Sequence, residues 1–281
     1  MSAQEYLARM KTIAREGGKI ARELVDQSQP SFKKDGSVVT LADKKVSRLA
    51  QEILQDLLKT PEHILIDEED PVVERYFDQP LLEKTPFVWA LDPIDGTRNY
   101  ANRMPNFGIS IGVLKDLRPW LGVVYFPALQ ELFYSDGKEA FFVQQAFSSE
   151  ERTTKIPAID QPITGQSVFL CIDNFAKKFE WDYQDCHLMT QACAAVDLCW
   201  PAIGRGCGAF FKSSLWDFVG PWPIVTAAGL NFRSLASGKI LDRIQVDLFL
   251  KENTIWKLRE PYILSSERNF SILKSKIRPR E

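Results

Sequence analysis

The run Phe87-Val88-Trp89-Ala90-Leu91 is apolar throughout and stops abruptly at Asp92-Pro93-Ile94-Asp95-Gly96-Thr97. The apolar part reads as a strand. Pro93 cannot extend a ladder, so it fixes a turn at the strand tip. Any fold this chain adopts must therefore carry Asp92 and Asp95 together at one strand end. Gly96 follows, and its missing side chain lets the backbone approach a ligand closely. Two carboxylates beside the amides of Gly96 and Thr97 suit a hard divalent cation next to a phosphate. Magnesium takes oxygen ligands and keeps phosphate oxygens among them, while the amides meet the anion.

On either side of this point the periodicity differs. Leu7, Met10, Ile13, Ala14, Gly17, Ile20, Ala21 and Leu24 recur at helical spacing and predict an amphipathic N-terminal helix. Gln27 to Gly36, with Pro30 and two lysines, breaks it. Thr40 and Asp43 have the spacing of a capping box with Asp in place of Glu. Val46, Leu49, Ala50, Ile53, Leu54 and Leu57 then mark a second helix. Ile64 to Ile66 is a short strand running into the acidic row Asp67-Glu68-Glu69-Asp70. Phe107 to Leu114, Leu121 to Phe126, Glu131 to Tyr134 and Ala140 to Val143 read as strands separated by turn residues. A helix pair followed by a meander predicts an α+β layer.

The polar stretch from Phe147 to Gly165 is the expected boundary between an N-terminal α+β subdomain, 1–150, and a C-terminal α/β subdomain, 151–281. Beyond it, Val168 to Ile172 reads as a strand, and the long apolar segment Cys186 to Ile203 as helix at its start. Ala209 to Lys212 reads as a strand and Ile224 to Ala228 as part of a helix. Val246 to Leu250 and Tyr262 to Leu264 close the second unit.

With 281 residues, 45% hydrophobic and 26% charged, the chain can bury a sizeable core. A net charge of -2 leaves no basic footprint for a nucleic-acid polymer or an anionic membrane surface. No apolar run approaches the roughly 18 residues of a membrane helix, and Met1 to Glu5 has no basic n-region before an apolar core. Five cysteines with no Cys-x-x-Cys pair fit a reducing compartment, which makes the cytoplasm the expected location. His63 and His187 alone do not make a histidine-based zinc site.

Asp92-Pro93-Ile94-Asp95-Gly96-Thr97, followed by Asn99 and an aromatic, resembles the signature of the inositol monophosphatase family of magnesium-dependent, lithium-sensitive phosphatases. Val39-Thr40-Leu41-Ala42-Asp43 is similar to the family's upstream Val-Thr-x-x-Asp element. Leu65-Ile66-Asp67-Glu68-Glu69 sits where the family carries Gly-Glu-Glu. Trp216-Asp217, running on to Ile224-Val225-Thr226-Ala227-Ala228-Gly229, resembles its C-terminal Trp-Asp element and the helix after it. The matches come in the family's order over residues 33 to 229.

The resemblance implies a layered α-β-α-β-α sandwich in two subdomains with the site between them, a homodimer, and about two or three Mg²⁺ per site. It implies Glu68, Asp92, the Ile94 backbone carbonyl, Asp95 and Asp217 as metal ligands. Glu68 and Thr97 would position or deprotonate the attacking water, with Asp43 bonded to Thr97. Asp95, Gly96, Thr97, Ala192, Cys193, Ala194, Lys212 and Asp217 would contact a small phosphorylated metabolite. Cations that hold the phosphoryl oxygens and lower the water's pKa need no histidine and no nucleophilic serine or cysteine.

Plainer readings stand beside these. Four successive carboxylates also make a solvated acidic turn; at an effective dielectric near 20 a close pair repels by roughly 4 kcal/mol at 4 Å, which water or a cation relieves. Asp43 and Asp217 could each simply cap a helix. Pro221 and Pro223 fall in the first turns after Asp217, so that helix either starts later than in relatives or is kinked. Asp67 replaces the family's glycine, which leaves Glu69 as a competitor to Glu68. Ala192-Cys193-Ala194-Ala195 stands where many relatives have Gly-Ser/Thr-Ala-Ala. Lys212 falls near the position where those relatives place a glutamate that accepts a sugar hydroxyl. A lysine cannot accept a hydrogen bond; it suits a second phosphate, a carboxylate or a ribose phosphate, unless it is a solvated strand-end lysine.

Three other motifs are set aside. The spacing of Asp92 and Asp95 does not fit the Asp-x-Asp-Gly-Thr of haloacid dehalogenase-type phosphatases. Cys199 and Arg205 satisfy Cys-x5-Arg, but in an apolar segment that reads as a buried structural cysteine. Gly204 to Gly208 lacks the Lys-Ser/Thr of a P-loop. The reading is thus a Mg²⁺-dependent phosphomonoesterase, inositol monophosphatase-like. A 3'(2'),5'-bisphosphate nucleotidase or a histidinol- or sugar-phosphate phosphatase is the alternative within the family. A non-catalytic phospholigand-binding relative is the alternative from another class. The complete set of Glu68, Asp92, Asp95, Thr97 and Asp217 argues against the last, since a binder needs no water activator.

Overall fold

Ser2 starts the first helix: its Oγ accepts the Glu5 amide at 3.4 Å, and the Glu5 carboxylate takes the Ser2 N–H at 2.6 Å. This reciprocal box satisfies two donors that no helical carbonyl can reach. The structure, a computed structural model, describes residues 1–27, 30–32, 38–251 and 256–280. Most of the expected break from Gln27 to Gly36 lies outside the described residues. The first half runs α1 (Ala3–Leu24), β1 (Ser31–Phe32), β2 (Val38–Val39), α2 (Leu41–Ile53), α3 (Gln55–Leu58), β3 (His63–Asp67), α4 (Gln79–Lys84), β4 (Phe87–Asp95) and α5 (Thr97–Ala101). It continues as the meander β5 (Gly108–Lys115), β6 (Arg118–Phe126), β7 (Glu131–Ser135), β8 (Ala140–Gln144) and β9 (Arg152–Lys155). Strands β3 to β9 form one sheet in chain order, with β3 parallel to β4 and every later pair antiparallel.

The second half comprises β10 (Val168–Cys171), β11 (Phe179–Trp181), β12 (His187–Met189), α6 (Ala194–Cys199), β13 (Gly208–Phe211), α7 (Leu215–Val219), α8 (Pro221–Ala227), β14 (Asn231–Ser234), β15 (Tyr262–Ser265), α9 (Glu267–Ser275) and β16 (Ile277–Pro279). Its main sheet has the order β12-β10-β13-β15-β14.

Side-chain alternation on β4 explains why that strand is apolar at every position from Phe87 to Leu91. Trp89 and Leu91 point to one face and pack with Met10 and Ile13 of α1 and Ala50 of α2. Val88 and Ala90 point to the other, into a core shared with Val196, Phe218, Trp222 and Val225 of α6, α7 and α8. That core continues without a break to Ala209, Phe211, Phe232 and Leu264 of the second sheet. The opposite face of the second sheet packs Phe169, Phe210 and Ile263 against Leu273 of α9. The layers are helix, seven-stranded sheet, helix, five-stranded sheet, helix: the layered α-β-α-β-α sandwich.

Glycines set how closely the central helices approach the first sheet. A methyl at Gly112 of β5 would lie 2.5 Å from the carbonyl carbon and oxygen of Val219, and one at Gly122 of β6 would strike the Gly220 carbonyl. The α7–α8 junction therefore presses main chain to main chain against β5 and β6. Gly220 divides the two helices, and Pro221 begins the second one. Pro223 then falls in its first turn, where a missing N–H costs no helical bond.

The structure departs from the sequence reading in several places. Cys186 to Ile203 does not begin as a helix: His187–Met189 is a strand parallel to β10, and the helix starts at Ala194. Ala192 is left-handed (φ 52°) and Cys193 extended (φ -146°, ψ 112°), so no helix can pass through them. The expected boundary stretch holds β9, a wholly exposed edge strand that extends the first sheet past residue 150; with both faces polar it shows no alternation to read. Val246–Leu248 is a single 3-10 turn, and Phe249 forms an isolated antiparallel bridge with Leu258.

Candidate active site

Parallel pairing of β3 with β4 fixes the first half of the site. Asp67 pairs with Leu91, and the Glu68 N–H donates to the Leu91 carbonyl at 3.1 Å, so Glu68 stands beside Asp92. Alternation sends Asp67 and Glu68 to opposite faces. Asp67 turns toward α2, where its carboxylate accepts the Ser47 hydroxyl at 2.5 Å and the Glu69 amide at 2.9 Å. The residue at the family's glycine position is thus a buried bracket between α2 and the acidic turn.

A bulge fixes the second half. Asp92 pairs with Ser110 and Asp95 with Gly108, so three steps on β4 match two on β5. Without the extra residue, side chains three apart would point to opposite faces; with it, both carboxylates share the face of Ser110 and Gly108. Pro93 sits inside the bulge, where its missing N–H breaks no ladder bond. The Ile94 amide folds back onto Asp92 Oδ1 at 3.0 Å. The Asp95 carboxylate accepts the Ala194 amide at 3.1 Å and, through its other oxygen, the Ala195 amide at the start of α6.

Asp217 arrives from the second half of the chain. It is the third residue of α7, and its Oδ2 accepts the Ser214 amide at 2.8 Å. It therefore closes its own helix start while lying within reach of the charges of Asp95 and Glu68. Burial pushes its carboxyl well up, and the charges of Asp95 and Glu68 push further. Asp92 is raised by burial first, then by Glu68, Asp95, Asp217 and Asp43. Asp95 is raised by burial, against the pull of the Ala195 and Ala194 amides. Among the described residues no three His, Cys, Asp or Glu side chains close round one point at metal-ligating distance. Mutual repulsion and the backbone N–H groups on Asp92, Asp95 and Asp217 both favour that spread arrangement.

Asp43 lies at the start of α2, and its Oδ2 accepts both the N–H and the hydroxyl of Thr40, at 2.8 and 2.5 Å. Its carboxyl is pushed up to about 7, mainly by burial and then by Glu69 and Glu68 against the Thr40 bonds. The Thr97 hydroxyl donates to the Ile94 carbonyl at 3.0 Å and stands 3.5 Å from Asp43 Oδ1, so its short bond is to Ile94. Gly96 is left-handed (φ 82°), and a methyl there would meet the Asn106 carbonyl at 2.8 Å and Cys193 Cβ at 3.0 Å. Asn99 ties the same loops together, donating to the Asn106 and Gln191 carbonyls at 2.7 Å each.

A cleft of about 190 Å³ opens beside Asp217, with Ala192, Cys193, Ala194 and Lys212 on its walls. The structure thus sets Glu68, Asp92, Asp95 and Asp217 within electrostatic reach of one another, with Asp43 and Thr97 at their edge and Lys212 on the cleft wall. Asp197 and Lys257 also line it and were not foreseen. Asp197 lies in an apolar helix pattern, and nothing in the sequence ties Lys257 to this region.

The sequence model of the inositol monophosphatase family matches residues 2–258. The chain belongs to the inositol monophosphatase family. Human inositol monophosphatase 1 is 29% identical over 236 residues, covering 80% of this chain and 82% of that protein. The 3'(2'),5'-bisphosphate nucleotidase CysQ of Salmonella typhimurium is 26% identical over 250 residues, covering 85% and 94%. The structure of an IMPase/NADP phosphatase complexed with Mg²⁺ and phosphate superposes with a TM-score of 0.73 at 16% identity, over 97% of this chain and 95% of that one. With its family, this chain is a hydrolase of phosphoric monoesters. Among the described residues no helix is long and apolar enough to cross a membrane.

Proposed function

We propose that this inositol monophosphatase-family protein hydrolyses a small phosphate monoester at the cleft between Asp92, Asp95 and Asp217, using divalent metal, in the first place Mg²⁺. The observation that carries the reading is the β4 bulge. It turns Asp92 and Asp95 to one side, where Glu68 and Asp217 come from other segments to meet them.

The donor set fits magnesium. All the groups are oxygens, and after burial the charges of Glu68, Asp95, Asp217 and Asp43 dominate at Asp92. Glu68, Asp92, the Ile94 carbonyl, Asp95 and Asp217 are the residues we assign to hold the metal. When bound, it would neutralise phosphoryl charge and make a water acidic enough to attack near neutral pH. The protein's own part is positional. Amides of Gly96 and Thr97 hold the phosphate, the Ala192–Ala194 turn contacts the rest of the substrate, and Glu68 and Thr97 orient the water. Asp43, 3.5 Å from the Thr97 hydroxyl, is placed to take up a proton.

The proposal includes two subdomains about the central helices, a homodimer, about two or three ions per site, and a cytoplasmic location in keeping with five free thiols. Para-nitrophenyl phosphate turnover with and without Mg²⁺ tests the core of it. Asp95→Asn should lower turnover by about a hundredfold or more with an unchanged circular dichroism spectrum. Wild-type activity in that variant, or turnover indifferent to EDTA, refutes the assignment.

A further inference from the structure

The cleft beside Asp217 does not end at the acidic groups. A second hollow of about 220 Å³ continues outward past Ile172, Asn174, Lys212 and Lys257, which line both spaces, to Lys178 and Phe179. Three lysines therefore line the outer hollow. Lys212 follows the last residue of β13. Lys257 is held beside it, since Ser214 and Lys257 form an antiparallel bridge and the Leu258 amide donates to the Ser213 carbonyl at 3.0 Å. Lys178 is pinned from the far side by the Arg280 amide, which donates to its carbonyl at 2.9 Å.

These cations repel one another. Burial lowers the affinity of Lys212 for its proton, the charges of Lys178 and Lys257 lower it further, and Glu260 partly offsets them. Among the described residues none of the three is in an ion pair, whereas Arg75, Arg98 and Arg205 each have a carboxylate at 2.6 to 2.9 Å. In the inner part of the cleft Asp173 is already held by Arg98. A trio of like charges gathered in a concave space, a cleft's length from a phosphate-cutting site, calls for an anion. One carboxylate would offset one of the three charges. A phosphate monoester carries about -1.5 to -2 near pH 7 and three acceptor oxygens, which matches three ammonium groups better.

We infer that the substrate of this chain carries a second phosphate, which Lys178, Lys212 and Lys257 bind in the outer hollow while the ester to be cut lies against Asp95 and Asp217. This deepens the phosphatase reading and rests on it for the position of the cut.

The test uses three synthetic esters on one flexible scaffold: butane-1,4-diyl bisphosphate, 4-carboxybutyl phosphate and 4-hydroxybutyl phosphate. With Mg²⁺, the expected order of kcat/KM is bisphosphate first, carboxylate second and alcohol last. Lys212→Met and Lys257→Met should each shrink the bisphosphate-to-alcohol ratio about tenfold, the worth of a hydrogen bond to a charged group. Lys→Arg at the same positions should restore most of it. A wild-type ratio near one, or a ratio that neither Met substitution moves, overturns the inference. A carboxylate ester that outpaces the bisphosphate overturns the choice of phosphate. A second arm, calorimetric binding of butane-1,4-diyl bisphosphonate in EDTA, does not depend on catalysis. If no ester turns over, the phosphatase reading fails, and the lysine hollow is judged on this arm alone. Binding weakened about tenfold by Lys212→Met supports it, and no binding by the wild type overturns it.

Discussion

Replacing Gly112 with alanine tests whether the main-chain contact between β5 and the α7–α8 junction holds Asp217 in place. The new methyl would sit 2.5 Å from the Val219 carbonyl carbon and oxygen and 2.7 Å from Gly220 N, about 0.9 Å inside ordinary contact at 3.4 Å. Backbone stands on both sides of the clash, so no side chain can swing away; β5 and the junction must separate. Forced overpacking of this kind costs about 1–3 kcal/mol, which outweighs the roughly 0.4–1 kcal/mol gained by stiffening the unfolded chain at a glycine. In a chain of this size that is a fall in Tm of about 2–10 °C. Val219 is two residues beyond Asp217, so the shift reaches the cleft, and a misplacement near 1 Å can cost about a hundredfold in rate. The assay pairs thermal unfolding with Mg²⁺-dependent turnover. Gly165→Ala is the control, because nothing lies within 4 Å of its added methyl. If Gly112→Ala melts and turns over like Gly165→Ala, the glycine contact does not set the position of Asp217.

Two further outcomes follow from the acidic groups. Asp43 has a folded value of about 7 against 3.8 for the free side chain. The folded, metal-free protein therefore holds the extra proton between those values, and its stability falls as pH rises through that window. In EDTA the Tm should drop as pH rises from about 5 to about 7, with a shallower drop in Asp43→Asn; a Tm that rises with pH contradicts the burial argument. Ala194→Pro removes only the N–H that Asp95 Oδ1 accepts at 3.1 Å, since proline suits the first position of a helix and Cys193 before it is already extended. Turnover should fall about ten- to a hundredfold with Tm nearly unchanged, and full activity in that variant means the Ala194 bond does not position Asp95, leaving the Ala195 amide to hold it.

How much of this was legible depends on where the information lies. Strand β4 and the acids at its tip could be read directly, because alternation, proline and glycine are local signals. The direction of Asp92 and Asp95 could not. It depends on a bulge against β5 that appears only when the strands pair. The helix pattern from α1 to α2 was plain, since both bury one stripe against the sheet. Strand β9 escaped because all four of its residues are exposed, and β14 because four residues carry too short a pattern. Cys186 to Ile203 was misread as helix because periodicity cannot register a left-handed residue at Ala192. Lys212 could be flagged by position, but Lys178 and Lys257 join it only through the tertiary fold.

The central helices α6, α7 and α8 serve two masters. They are packed on both sides, and the groups that steer Asp95 and Asp217 come from their first turns. The outer sheet, which contributes none of the acids, is thereby the clamp that keeps the proposed hydrolytic centre assembled. Loosening it frees those helix ends while β3 to β9 can remain hydrogen-bonded, so the enzyme can fall silent long before it unravels.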